Sequence, residues 1–93
     1  MPDVAIEKTL KEIVRLFNEA QATLSTTHDR VTAKTCFNRA QSMLDELERH
    51  PAPQVRALVK QARAEVRALV KNERSLTRKL EIYSAFWSQK MRS

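Results

Sequence analysis

Apolar residues in the first quarter of the chain return at alternating intervals of four and three: Ile6, Leu10, Ile13, Phe17, Ala20 and Leu24. That spacing lays one stripe along a helix, so a first helix is predicted over about 3–24 with Asp3 as its N-cap. The next residues, Ser25-Thr26-Thr27-His28-Asp29, are cap formers; Thr26 and Asp29 make a variant of the capping box, and the run reads as a turn. A second helix, over about 27–49, carries Ala33, Cys36, Ala40, Met43 and Leu47 on its stripe, widened by Phe37 and Leu44, and stops at His50. Pro51-Ala52-Pro53 forces an extended link, because the residue before a proline avoids helical angles, and Pro53 suits the first turn of a new helix.

From Pro53 to about residue 90 the pattern is helical throughout. Two series at seven-residue spacing run through it in the manner of a coiled coil: Val55, Ala62, Leu69, Leu76, Tyr83, and Val59, Val66, Glu73, Leu80, Trp87. An internal repeat, QVRALVKQARA followed by EVRALVKNERS, has an eleven-residue period that is also helical, at about 3.67 residues per turn. A third helix is therefore predicted over about 53–90. The alternative is a break near Asn72 or Ser75, either of which would cap a fourth helix. Glu73 interrupts its apolar series near the predicted end of the core, where partial exposure or an ion pair accounts for it.

Lengths turn this pattern into an expectation about assembly. The first two helices are each about 33 Å long, whereas an unbroken third would reach about 55 Å. Its overhang would hold Leu76, Leu80, Tyr83, Phe86 and Trp87, an apolar surface that a soluble monomer rarely leaves in water. The chain is thus expected to be all-α, a three-helix bundle in one domain over residues 1–93, with the long C-terminal helix completed by dimerisation. Those five residues are the candidate dimer or partner interface, with docking into another protein as the rival reading. Small single-core domains often gain stability by oligomerising, which favours the homodimer.

Composition narrows the class. The sequence has no glycine, and its three prolines lie outside the periodic stretches. Hairpin-built sandwiches and nucleotide-binding folds need glycine at tight turns and phosphate loops, so both are excluded. One cysteine, Cys36, cannot form an intrachain disulfide and reads as a small core residue. With no secretory leader pattern and no apolar run of about 20 residues, a cytoplasmic or host-cell interior location is expected, and a membrane partner is not.

Charge changes the picture most. Residues 51–93 hold ten Lys or Arg against three acids, while residues 1–50 hold seven against eight. Arg56, Lys60, Arg63, Arg67, Lys71, Arg74 and Arg78 fall within a sector about 80° wide on a continuous helix, away from the apolar stripe. The row would be about 33 Å long, close to one turn of B-form duplex. Clustered Lys and Arg are what phosphate-backbone binding requires. A plain solvated face usually mixes in Glu, and here none interrupts the row before Glu81 apart from the off-row Glu65 and Glu73.

Catalytic patterns are missing. Asp45 and Glu46 are adjacent and so point to different sides of a helix, and no Ser-His-Asp arrangement or phosphate loop is present. Two histidines and one cysteine without ligand spacing do not suggest a metal site. The sequence therefore predicts a non-enzymatic binding protein without cofactor or small-molecule substrate. Sequence-independent duplex nucleic-acid binding, RNA ahead of DNA, is the leading expectation. The layout is similar in kind to small helical viral proteins that coat double-stranded RNA, without a shared motif. The rival is an adaptor, chaperone or inhibitor that binds an acidic protein through the aromatic segment and the basic face. Small helical secretion chaperones also place a long C-terminal helix after a proline-bearing loop, and Lys71-Asn72-Glu73-Arg74-Ser75-Leu76 resembles their later helix.

Overall fold

The computed structural model describes residues 4–92 and contains four helices: α1 (Val4–Thr27), α2 (Arg30–Leu47), α3 (Pro53–Val70) and α4 (Leu76–Arg92). The expected N-cap Asp3 lies outside the described residues. α1 packs on α2 and α4, and α3 closes the bundle against α4 and α2. α1 and α4 run antiparallel, since Leu24 shares an apolar cluster with Leu80 while Leu10 lines a cavity with Trp87 and Met91.

The first turn differs in detail from the sequence expectation. α1 continues to Thr27, three residues beyond the predicted end, and α2 opens at Arg30, three residues late. The reason is local: the hydroxyls of Thr26 and Thr27 donate to the carbonyls of Ala22 and Thr23, so both serve the last turn of α1. His28 then adopts a left-handed conformation at φ 58° with its N–H donating to Leu24 O, and Asp29 caps α2 by accepting from Thr32 N at 3.0 Å. Pro53 opens α3 as expected.

The larger correction concerns the predicted third helix, which is two helices. α3 ends at Val70, and a turn over residues 71–75 leads into α4. Ser75 starts the new helix: its Oγ accepts the N–H of Arg78, its carbonyl accepts that of Lys79, and its own N–H donates to the Glu73 carboxylate at 3.1 Å. Glu73 is therefore a half-buried turn acceptor and not a member of an apolar stripe.

Because α4 folds back, the bundle is 40 Å in its longest dimension, too short for a continuous helix of about 55 Å. Leu80, Tyr83 and Trp87 are buried inside the single chain, with Leu76 and Phe86 half-buried. Ile13, Phe17, Leu44, Val59, Val66 and Trp87 share one core cluster drawn from all four helices. Phe17 is its aromatic centre, with ring centroids 5.6 Å from Phe37, 5.4 Å from Tyr83 and 6.3 Å from Trp87. The overhang that called for a dimer does not exist, so that argument for self-association lapses. Cys36 is free and half-buried against the core.

Candidate nucleic-acid interface

The eleven-residue repeat explains how α3 sorts its side chains. Eleven residues turn a helix through about 1100°, which brings equivalent positions to within about 20° of one another. Val55 and Val66 face the core, Arg56 and Arg67 and then Lys60 and Lys71 occupy a second sector, and the pairs Ala57-Leu58 and Ala68-Leu69 occupy an exposed third. One short repeat thus builds a core face, a cationic face and an apolar outer face, each twice over.

The seven cations of the predicted row do not remain equivalent. Arg63 turns toward α2, where its guanidinium reaches Asp45 at 2.7 Å, also pairs with Glu48, and donates to the Gln41 amide oxygen at 3.2 Å. Only 12% of its side chain is exposed, which withdraws it from any ligand. Arg56 is exposed but straps the proline link, donating to the carbonyls of His50 and Pro51. Lys60 and Arg67 remain exposed on α3, Lys71 and Arg74 sit exposed at and within the turn, and none of the four forms an ion pair with a described residue. Arg78, on the first turn of α4, lies 3.7 Å from Glu81.

The turn over 71–75 therefore replaces a straight row with a corner, and the corner recruits cations that the sequence pattern does not reveal. Lys34 of α2 and Lys79 of α4 line one groove of about 330 Å³ with Val70, the last residue of α3. Lys79 is consecutive with Arg78, and Lys34 lies in an unrelated helix. No periodicity in the chain links Lys34 to Lys71; only the packing of α2 beside the end of α3 does.

Cations of α1 are in part matched by acids of the same helix. On α1, Arg15 pairs with both Glu12 and Glu19, and Lys11 pairs with Glu7. The Arg15 hydrogen bond, aided by the charges of Arg15 and Arg39, holds the Glu12 carboxyl below its ordinary range, and Glu12 in turn raises Arg15. Lys11 and Arg15 of α1 are thus committed to partners on their own helix, while Lys8 stays exposed; at the α3–α4 corner Lys60, Arg67, Lys71 and Arg74 all face water.

Among the described residues no polar or charged side chain is fully buried, no group of three His, Cys, Asp or Glu is placed to hold a metal ion, and no helix is long and apolar enough to cross a membrane. The five residues expected at an interface are mainly core. The large apolar side chains that stay exposed are Val4 and Val31, on α1 and α2, and Leu58, at 62%, and Leu69, at 60%, on α3, with Leu69 beside the half-buried Ile82 and Phe86. The chain matches no known family model, and neither the curated proteins nor the solved structures provide a significant match.

Proposed function

We propose that this chain is a non-enzymatic binding protein that holds the phosphate backbone of a nucleic-acid duplex on its cationic corner. Lys60, Arg67, Lys71 and Arg74 make the principal contacts, with Arg78, Lys79 and Lys34 at the margin. The supporting observation is that these four central cations cluster at one corner, exposed and without an ion pair to any described residue, while Lys11 and Arg15 of α1 are matched by acids. Cations already neutralised by carboxylates release no counterion from a duplex; unpaired ones do, and that release is the main source of sequence-independent affinity.

Lys60 and Lys71 are separated by about 17 Å along α3, so the corner spans part of one duplex turn and not the full turn suggested by a straight row. Backbone contacts position a protein without reading bases, so little sequence preference is expected. Duplex RNA is favoured over DNA only as a working order of testing. Fluorescence anisotropy with labelled blunt RNA and DNA duplexes of equal length tests the reading. The Lys60→Glu, Arg67→Glu, Lys71→Glu triple variant should lose binding by at least about a hundredfold at low salt, as three reversed phosphate contacts require, with helicity unchanged by circular dichroism. Parent-like binding by the triple variant, or no binding by the parent, defeats the reading.

A further inference from the structure

The two most exposed leucines of α3 lie on one face because the repeat places them eleven residues apart. They are about 17 Å apart along the axis, close to three helical turns. Leu69 borders an open cavity of about 390 Å³ with Ile82, Ala85, Phe86 and Gln89 of α4. Leu58 borders a second, of about 290 Å³, with Ala62 of α3, Trp87, Lys90 and Met91 of α4, and Leu10 of α1 closing its far side. Between the two, Glu65 of α3 pairs with Lys90 of α4 at 3.1 Å, and the Lys90 ammonium stands 5.5 Å from the Phe86 ring centroid. The result is an apolar seam between two nearly antiparallel helices, flanked outward on α3 by exposed Gln54 and Gln61 and then by exposed Ala57, Ala64 and Ala68.

We infer that this seam is the docking groove for one amphipathic helix of a partner protein, about three turns long, apolar along its inward stripe and acidic along both edges. Small residues beside a pair of leucines allow a third helix to approach closely, and a groove between two helices is the usual receptor for such a ligand. Charge decides the occupant. At about 100° per residue, the side chains just outside the seam on α3 are Lys60 and Lys71, and on α4 they are Arg92 and Arg78, the latter 3.7 Å from Glu81, the one acid among them. The Glu65–Lys90 pair inside the seam is already neutral. A helix with glutamates on both edges meets cations on both sides. A second copy of this chain would carry the same cations and a net charge of +6 into the contact, which opposes self-association.

The seam shares its edge cations Lys60, Lys71 and Arg78 with the phosphate-binding corner, but its apolar floor, Leu58 and Leu69, lies outside that corner. Leu58→Lys and Leu69→Lys should therefore weaken peptide binding without weakening duplex binding, which tells failure of this inference from failure of the nucleic-acid reading. The probes are two labelled synthetic peptides with the same three-turn leucine stripe, one with glutamate and one with lysine on its edges, titrated with the full chain. The glutamate peptide should bind at least about tenfold more tightly than the lysine peptide, an advantage that shrinks with added salt. Leu58→Lys and Leu69→Lys, at positions exposed enough to spare the fold, should each weaken the glutamate peptide by about tenfold or more. The inference is overturned if neither peptide binds, if both bind equally, or if Leu69→Lys binds as the parent does. It is also overturned if sedimentation shows a dimer that Leu69→Lys converts to monomer, since the seam would then belong to a second copy.

Discussion

The Arg63 guanidinium lies 2.7 Å from the Asp45 carboxylate, so the third cation of the basic row holds α3 to α2 and does not face the solvent. Glu48 and Gln41 complete the clamp. Asp45 and Glu48 keep 54% and 30% of their side chains exposed, so the pair left behind by a truncation remains hydrated. Arg63→Ala should therefore cost about 1–3 kcal/mol, below the larger penalty of a fully buried broken pair. Arg67→Ala, one turn on and unpaired, should leave stability within about 0.5 kcal/mol. Chemical denaturation of both variants checks the contrast; equal losses would mean that Arg63 is not the clamp.

Trp87 reports on the core of the single chain. It stacks on Phe17 and is 3% exposed, and its indole N–H is buried without a hydrogen-bond acceptor among the described residues. Trp87→Ala should destabilise by about 3–5 kcal/mol, whereas Trp87→Phe should cost less because no hydrogen bond is lost. Trp87→Glu should unfold the chain and not merely release a dimer. Sedimentation and circular dichroism of this variant separate those outcomes, and a folded monomeric Trp87→Glu would contradict the burial.

Much of the fold is legible in the sequence, and the failures have local causes. The stripe from Ile6 to Leu24, the Pro51-Ala52-Pro53 link and the start of α3 follow from periodicity and proline chemistry. The break at 71–75 is hidden because heptad and eleven-residue spacings both continue across it, and Leu76, Leu80, Tyr83 and Trp87 would face a core in either arrangement. Asn72 and Ser75 are the available signals, and neither residue type alone distinguishes a cap from an exposed helix position. At the site, the cationic sector is legible because it follows α3's own period. The fate of Arg63 is not, since its partners lie 15 to 22 residues away. The contribution of Lys34 is likewise invisible until α2 is packed beside Val70.

His28 occupies the left-handed position that ends α1, in a chain with no glycine. A side chain there carries a steric cost that glycine avoids, partly offset by the greater freedom of glycine in the unfolded state. His28→Gly should raise stability by about 0.5–1 kcal/mol, seen as a higher melting temperature. A lower one would show that His28 makes a compensating contact.

Asp29 should make acid sensitivity visible. Hydrogen bonds from the Thr32 hydroxyl and then from the Thr32 N–H hold its carboxyl below the ordinary aspartate range. A depressed folded-state value means that the contribution is fully present above the unfolded value, about 3.9, and is lost as pH falls through the lowered one. The melting temperature of Asp29→Ala should therefore lie below that of the parent near neutral pH and converge on it in strong acid. A gap that does not change with pH would show that the ionised carboxylate is not what caps α2.

The salt dependence of duplex binding tests the central claim most directly, because it counts phosphate contacts. With Lys60, Arg67, Lys71 and Arg74 engaged, a plot of log affinity against log salt for one bound chain should have a slope of about −3 to −4. Arg67→Ala should reduce that slope by about one unit without altering base preference, and Arg63→Ala should leave it unchanged because Arg63 is committed to Asp45 and Glu48. A slope near zero in the parent, or the same loss of slope from Arg63→Ala as from Arg67→Ala, would contradict the assignment of the α3–α4 corner as a phosphate-binding surface.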